Sequence, residues 1–344
     1  MTTYAILQNP GHNRVYFKAA RTLAQMELKW AGQKMTVLPE NPREEILGGV
    51  PYLLFDMKSQ LTEMDIKLIS RLSFVYGIFK WERGALTPLE KNPDYYFESD
   101  EITTILKYNG KTNELFTRML LNVAIFSSSF NPMDRLTILD PLCGKGTTLF
   151  EGLLCGHNVY GVDMEDKMIH EAYIFLKKYL ETIKYKHSTH QERQGMKNYT
   201  AMRYQIELSR SKADKHLLQA QFVAGDSRDI SQFYRKNTFH IIAGDLPYGV
   251  QHGSRSDKNP AASAKKESRN SLPMLIEALP GWHKVLKTGG TLALAWNLFL
   301  ISRQEMEDAL ESNGFALIAP KGAQSFVHRV DQAINRDAIV GIKK

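Results

Sequence analysis

Four apolar runs between residues 136 and 244 stop on an aspartate or just short of one: Leu136–Asp140, His157–Asp163, Gln221–Ala224 followed by Gly225-Asp226, and Phe239–Gly244 followed by Asp245. Each is strand-length and bounded by Gly, Pro or polar residues, the pattern of a buried β-strand. Helical periodicity fills the gaps at Thr147–Leu154 and Lys167–Thr182. It returns at Pro273–Leu286 and Arg303–Ser312, around a fifth strand at Thr291–Asn297. Phe315–Ala319 and Ala338–Ile342 can complete the sheet, Gly156 sits where a helix C-cap is expected, and Gly289-Gly290 punctuates a helix–strand turn. Alternating strands and helices predict a doubly wound α/β domain, whose parallel strands all end at one edge. One acid after a strand is commonly a helix cap. Asp140, Asp163, Asp226 and Asp245 at four consecutive strand ends point instead to an edge built for ligands.

The chemistry of that edge is concentrated in two segments. Asp140-Pro-Leu-Cys-Gly-Lys-Gly-Thr-Thr148 is a glycine turn between a strand and a helix. Gly144 and Gly146 let the backbone turn sharply and approach a ligand, and the helix start at Thr147 and Thr148 offers free N–H groups. Asp140 can take an ammonium group, Asp163 the hydroxyls of an unphosphorylated ribose, and Asp226 an adenine amino group. The candidate cofactor set is therefore Asp140, Pro141, Cys143, Gly144, Gly146, Thr147, Thr148, Asp163, Met164, Asp226 and Ser227. Within it, Cys143 reads as a small packing residue. Lys145 can pair with a cofactor carboxylate, an RNA phosphate or solvent.

The second segment is Asp245-Leu-Pro-Tyr-Gly249. An exocyclic amine on a base is a poor nucleophile because its lone pair is delocalised into the ring. The Asp245 carboxylate and the Leu246 carbonyl can each accept one N–H, which frees that lone pair. Pro247 fixes the backbone, and Tyr248 can stack on a base taken out of its own stack. Asp245, Leu246, Pro247 and Tyr248 are the candidate catalytic residues. The two segments together imply methyl transfer from S-adenosylmethionine (SAM) to a base nitrogen, in line and chiefly by positioning and electrostatics.

Ahead of this domain, Tyr4–Leu7, Lys34–Leu38, Val50–Phe55 and Leu72–Phe79 read as strands. Val15–Trp30 and Leu61–Ser70 read as helices, the first with Phe17, Ala20, Leu23, Ala24 and Leu28 on one face, the second with Asp65 toward solvent. The order β-α-β-β-α-β predicts a ferredoxin-like unit. A polar stretch at Lys91–Asp94 and a short segment at Ile102–Tyr108 lead to a helix over Thr112–Phe126. The expected division is a small ferredoxin-like α+β domain over 1–110 and the α/β domain over 111–344. A length of 344 residues accommodates both, since single cores stop growing near ~250–300.

Composition narrows the partners. The net charge of +7 favours polyanions. Two insertions are basic, near 184–216 and 250–270. With Tyr199, Tyr204, His216 and His252 interleaved, they are expected to grip phosphate and stack bases. Two cysteines, Cys143 and Cys155, exclude a disulfide scaffold or a Cys-rich zinc site, and the histidines lack metal-ligand spacing. No apolar run reaches the ~18 residues of a membrane span, and no signal-peptide pattern opens the chain, so a cytoplasmic protein is expected.

The paired motifs resemble those of the THUMP-associated RNA guanine-N2 methyltransferases, in particular their tRNA-modifying members. The resemblance covers roughly Thr112 to Lys344. It implies a Rossmann-like class I methyltransferase domain, SAM as donor and N2-methylguanosine in tRNA as product, with Asp245–Tyr248 holding the amine. Two features depart from the family. Lys145 stands where Ser or Thr is usual, and the residues before the domain accommodate the ferredoxin-like unit but hardly a THUMP module. The basic insertions, a partner protein or a second copy of the chain would then supply the missing RNA grip. The alternatives are an adenine-N6 (or cytosine-N4) methyltransferase acting on DNA or rRNA and an RNA-binding protein without activity. A dehydrogenase would want Gly-x-Gly-x-x-Gly, which Gly144-Lys-Gly146 followed by Leu149 does not complete.

Overall fold

The computed structural model describes residues 1–9, 14–108, 111–210, 217–248, 271–320 and 326–344, with the side chains of residues 14–21 excepted. The first unit runs β1 (Thr2–Gln8), α1 (Arg14–Gly32), β2 (Glu40–Leu47), β3 (Val50–Met57), α2 (Glu63–Ser70), β4 (Val75–Glu82) and β5 (Ala85–Leu89). Its sheet order is β2-β3-β1-β4-β5, antiparallel throughout. This is the ferredoxin-like arrangement with one strand added. Leu23, Ala24 and Leu28 of α1 are buried as their spacing predicts; Phe17 and Ala20 lie outside the described side chains.

Two local expectations are corrected. The strand predicted at Lys34–Leu38 is a turn, because its polar groups are tied elsewhere. Lys34 Nζ donates to the Ser128 and Phe130 carbonyls at 2.6 and 3.1 Å, and Thr36 N–H donates to Asp65. The strand is the charged stretch after Pro39. It lies on the sheet edge, where no apolar alternation is needed and Pro42 is tolerated. Asp65 does not face solvent. It is 1% exposed and forms a capping box with Thr62, so the acid was placed by the helix start and not by the apolar stripe.

The second unit follows: α3 (Glu101–Thr104), α4 (Glu114–Ser127), β6 (Thr137–Asp140), α5 (Thr147–Leu154), β7 (Asn158–Asp163), α6 (Asp166–Thr182), β8 (Lys186–Gly195), β9 (Thr200–Ser209) and β10 (Leu218–Ala224). After a 3-10 turn at Ser227–Asp229 come α7 (Ile230–Phe233), β11 (Phe239–Asp245), α8 (Leu272–Val285), β12 (Leu286–Asn297), α9 (Arg303–Ser312), β13 (Phe315–Leu317), β14 (His328–Arg329) and β15 (Asn335–Lys343). The sheet order is β13-β15-β12-β11-β6-β7-β10-β9-β8. Strands β12, β11, β6, β7 and β10 are parallel, and β15 is inserted antiparallel beside β12. This is the Rossmann-like class I methyltransferase arrangement.

The described part of the first basic insertion, residues 184–210, is largely strand. Strands β8 and β9 form a hairpin antiparallel to β10 and extend the sheet. Tyr204 is consequently core, 6% exposed and stacked on Tyr173 with ring centroids 4.7 Å apart, and is closed to bases. His216, the insertion at 250–270 with His252, Gly249 of the second motif and the expected boundary at residue 110 lie outside the described residues.

The two units share one core. Apolar residues of α1 and the first sheet run without a break into α4, β6, β11 and β12. A polar seam crosses the same junction. The buried Glu27 carboxylate accepts from Ser73 and from Asn122 of α4 at 2.7 Å. Burial pushes its pKa up to about 7, against these hydrogen bonds.

Candidate active site

From β6 the chain winds to β7 and β10 on one side, then returns through β11 to β12 on the other. The reversal between β6 and β11 opens a crevice at the strand ends, where doubly wound sheets bind ligands. Asp140 and Asp245 end the two strands that flank it, and Asp163 and Asp226 follow along the same edge. The sheet thus brings the four predicted acids to one rim.

On the cofactor side, Gly144 and Gly146 both have positive φ, at 50° and 86°, and Gly146 caps α5 without a side chain. The turn is closed by Cys143 N–H to the Val162 carbonyl and by Gly146 N–H to the Cys143 carbonyl. Asp163 Oδ2 accepts the Gly144 N–H at 2.8 Å and Oδ1 the Glu165 N–H at 2.9 Å, so it fixes the turn that leads into α6 and braces the glycine loop together. Cys143 is a packing residue, 6% exposed, and a Cβ on Gly161 would lie 2.6 Å from its Sγ. Thr147 and Thr148 are buried, and the Thr147 hydroxyl lies 3.0 Å from that of Tyr108. Lys145 pairs with Glu171 at 2.6 Å and sits 4.9 Å over the Tyr108 ring.

Asp140 is 3% exposed and accepts the Leu142 N–H; Pro141 beside it is buried too. Burial, with a smaller contribution from the Asp163 and Asp245 charges, pushes the Asp140 pKa up to about 7 against hydrogen bonds from Thr148 and Leu142. Asp226 caps the 3-10 turn and holds the Arg228 guanidinium; although burial opposes this, Arg228 keeps its carboxyl below the usual range. Ser227 is buried, whereas Met164 is 69% exposed.

These residues fit SAM. A Cβ added at Gly144 would meet only Met168 Sδ, at 3.9 Å, so the loop faces open space. The crowded carboxylates, one with a raised pKa, suit a cofactor carrying ammonium and sulfonium charges. The exposed Met164 beside Asp163 offers an apolar platform for a purine ring.

On the β11 side, Leu246 N–H donates to the Ala295 carbonyl at 2.8 Å, which anchors the chain just past Asp245. Asp245 Oδ2 accepts from Thr112 Oγ1 at 2.8 Å, Oδ1 accepts from the Tyr248 hydroxyl, and Arg336 Nη2 lies 3.7 Å from Oδ2. Arg336 Nε also donates to the Tyr248 hydroxyl. The guanidinium lies 4.2 Å from the Phe116 ring centroid and 5.0 Å from that of Tyr248. Burial pushes the Asp245 pKa up, and Arg336, Tyr248 and Thr112 oppose it. Pro247 is exposed.

The sequence reading missed Tyr108, Thr112 and Arg336. Tyr108 closes the short segment read ahead of the helix and Thr112 opens the helix read over Thr112–Phe126, whereas α4 begins at Glu114 and leaves both residues just ahead of it. Arg336 lies far along the chain on a strand that reads only as sheet completion.

Comparison with known proteins adds to this geometry. The family profile described as UPF0020, RMKL-like, methyltransferase domain matches residues 120–261. The chain is 26% identical over 199 residues to the tRNA (guanine(10)-N2)-dimethyltransferase of Pyrococcus abyssi (strain GE5 / Orsay), a match covering 58% of this chain and 42% of the relative. The chain therefore spans less than half the length of this curated relative. Among solved structures, TrmN from Thermus thermophilus overlaps 88% of this chain and 59% of its own at 15% identity, with a TM-score of 0.42. Magnesium protoporphyrin IX methyltransferase from Synechocystis PCC 6803 overlaps 69% and 87% at 11% identity, with a TM-score of 0.40. Strand order and the match of residues 120–261 to the UPF0020 (RMKL-like) profile give the chain a class I methyltransferase domain whose methyl donor is S-adenosylmethionine.

Proposed function

We propose that this protein methylates RNA, forming N2-methylguanosine in tRNA. The observation that carries the reading is the Asp245 carboxylate, set at the strand ends beside the glycine loop, where burial raises its pKa and Arg336, Tyr248 and Thr112 oppose that rise. SAM supplies an electrophilic methyl group on sulfur. The chain supplies acceptors and alignment. The exocyclic amine gives one N–H to Asp245 and the other to the Leu246 carbonyl, which Pro247 holds in place. In the free protein the Tyr248 hydroxyl occupies an Asp245 oxygen. The amine takes that position, and the Tyr248 ring stacks on the base with the face turned away from Arg336. The departing proton can pass to Asp245, whose raised pKa suits an acceptor. The net positive charge and the name of the archaeal relative support RNA, and tRNA in particular, as substrate.

The test uses purified protein, labelled SAM and unmodified tRNA transcripts, with rRNA and DNA in parallel, followed by nucleoside mass spectrometry. N2-methylguanosine, mono or di, in tRNA is the expected product. Methyladenine, or label in DNA or rRNA alone, would replace the substrate. Asp245→Ala should abolish transfer while the protein still binds SAM, since it removes the side-chain acceptor for the amine. An unmodified rate in that variant would end the proposal.

A further inference from the structure

The β8–β9 hairpin is more than an added sheet edge, because its tip reaches the cofactor rim. Residues Met196–Tyr199 form its loop, closed by Met196 N–H to the Tyr199 carbonyl at 2.8 Å. The Tyr199 hydroxyl accepts the Asp226 N–H at 3.0 Å and donates to Asp229 Oδ2 at 3.0 Å. It thus bridges both ends of the turn that carries Asp226. The same turn is held from the other side by Trp282 Nε1, which donates to the Ser227 carbonyl at 3.0 Å. Nothing bulkier fits at its start: a Cβ on Gly225 would lie 2.7 Å from the Phe233 ring and 3.4 Å from the Tyr199 hydroxyl. Burial pushes the Tyr199 pKa up to about 12, so the hydroxyl remains a donor.

We propose that Tyr199 is a positioning residue for the adenine end of the SAM site, and that the hairpin inserted before β10 serves to deliver it. It acts through the backbone. With the Asp226 amide anchored, the carboxylate leaves the turn in one direction, and Arg228 fixes its remaining rotation. Without the hydroxyl the amide loses its acceptor and the turn its brace to Asp229. The proposal rests on Asp226 as acceptor for the adenine amino group.

Isothermal titration of the full-length protein with S-adenosylhomocysteine, and with its 6-deamino analogue bearing hydrogen in place of the amine, separates the two ideas. The wild type should prefer the amine-bearing ligand. Tyr199→Phe keeps the ring and removes the hydroxyl. It should weaken S-adenosylhomocysteine about fivefold to thirtyfold, the loss expected for one buried hydrogen bond, and leave the analogue within about twofold. Asp229→Ala probes the same bridge from outside the hairpin and should reduce the preference in the same direction. A wild type without preference would remove Asp226 from the adenine and this proposal with it. A preference in the wild type that Tyr199→Phe and Asp229→Ala leave intact, or equal weakening of both ligands, would overturn the role of Tyr199 alone.

Discussion

Replacing Arg336 with Met tests how far this guanidinium offsets the rise that burial causes in the Asp245 pKa. Arg336 Nη2 lies 3.7 Å from Asp245 Oδ2, with side-chain exposures of 5% and 19%. At an effective dielectric near 20 that separation corresponds to an attraction of about 4 kcal/mol. Partial solvent access at Asp245 brings the usable share to roughly half, about 2 kcal/mol. Burial already pushes the Asp245 pKa up and Arg336 opposes it. Arg336→Met therefore moves it further up, and at neutral pH more of the carboxylate becomes protonated and loses an acceptor position. We expect kcat/KM for methyl transfer to fall by up to about 30-fold on the acid limb of its pH profile, with that limb displaced upward and activity recovering at higher pH. The assay is initial-rate methylation across about pH 6 to 9, with circular dichroism to verify folding. Arg336→Lys keeps a charge but cannot serve Tyr248 and Asp245 together, so it should fall between the two. A folded Arg336→Met enzyme whose loss is the same at every pH would refute the electrostatic reasoning and leave Arg336 a spacer between Phe116 and Tyr248.

Two further outcomes follow from the shifted pKa values of Asp140 and His157. Asp140 carries a pKa raised to about 7, and a cationic cofactor favours its ionised form; SAM binding near neutrality should release a proton, and affinity should rise as pH increases through 7. Calorimetry in buffers of different ionisation enthalpy reads this directly, and an Asp140→Asn variant should lose the proton release. His157 is buried, its Nδ1 accepts the Leu136 N–H, and burial, with nearby Arg71, pushes its pKa down to about 3. Below about pH 6.5 the unfolded chain binds a proton that the folded chain refuses. The stability contribution is thus complete above that pH and is lost as pH falls toward 3, at up to about 1.4 kcal/mol per pH unit. Urea denaturation of the wild type and of His157→Gln between about pH 5 and 7 should give a shallower pH dependence in the variant; parallel slopes would exclude His157 as the source.

How far the site could be read in advance depended on the distance over which its parts act. The glycine turn, Asp163 and the Asp-Leu-Pro-Tyr stretch combine neighbours in sequence, and their chemistry follows from residue type and spacing. The Thr62–Asp65 capping box was equally local, yet an apolar stripe was used to orient Asp65 and gave the wrong face. Strand β2 was missed for the opposite reason. On a sheet edge its charged residues need no burial pattern, so hydrophobic periodicity carries no signal there.

Sequence alone determined the doubly wound fold, the four acids at consecutive strand ends and S-adenosylmethionine as the cofactor, because period and spacing are properties of the chain. Tertiary structure alone decided which distant groups meet at the crevice. Arg336 reaches Asp245 only because β15 is inserted antiparallel beside β12, which in turn pairs with β11. Tyr204 became core, and Tyr199 a brace for the cofactor rim, only because an insertion that reads as a basic loop pairs with β10. The local code cannot report either outcome, since the free energy of such contacts depends on burial and partners that exist only once the sheet has closed.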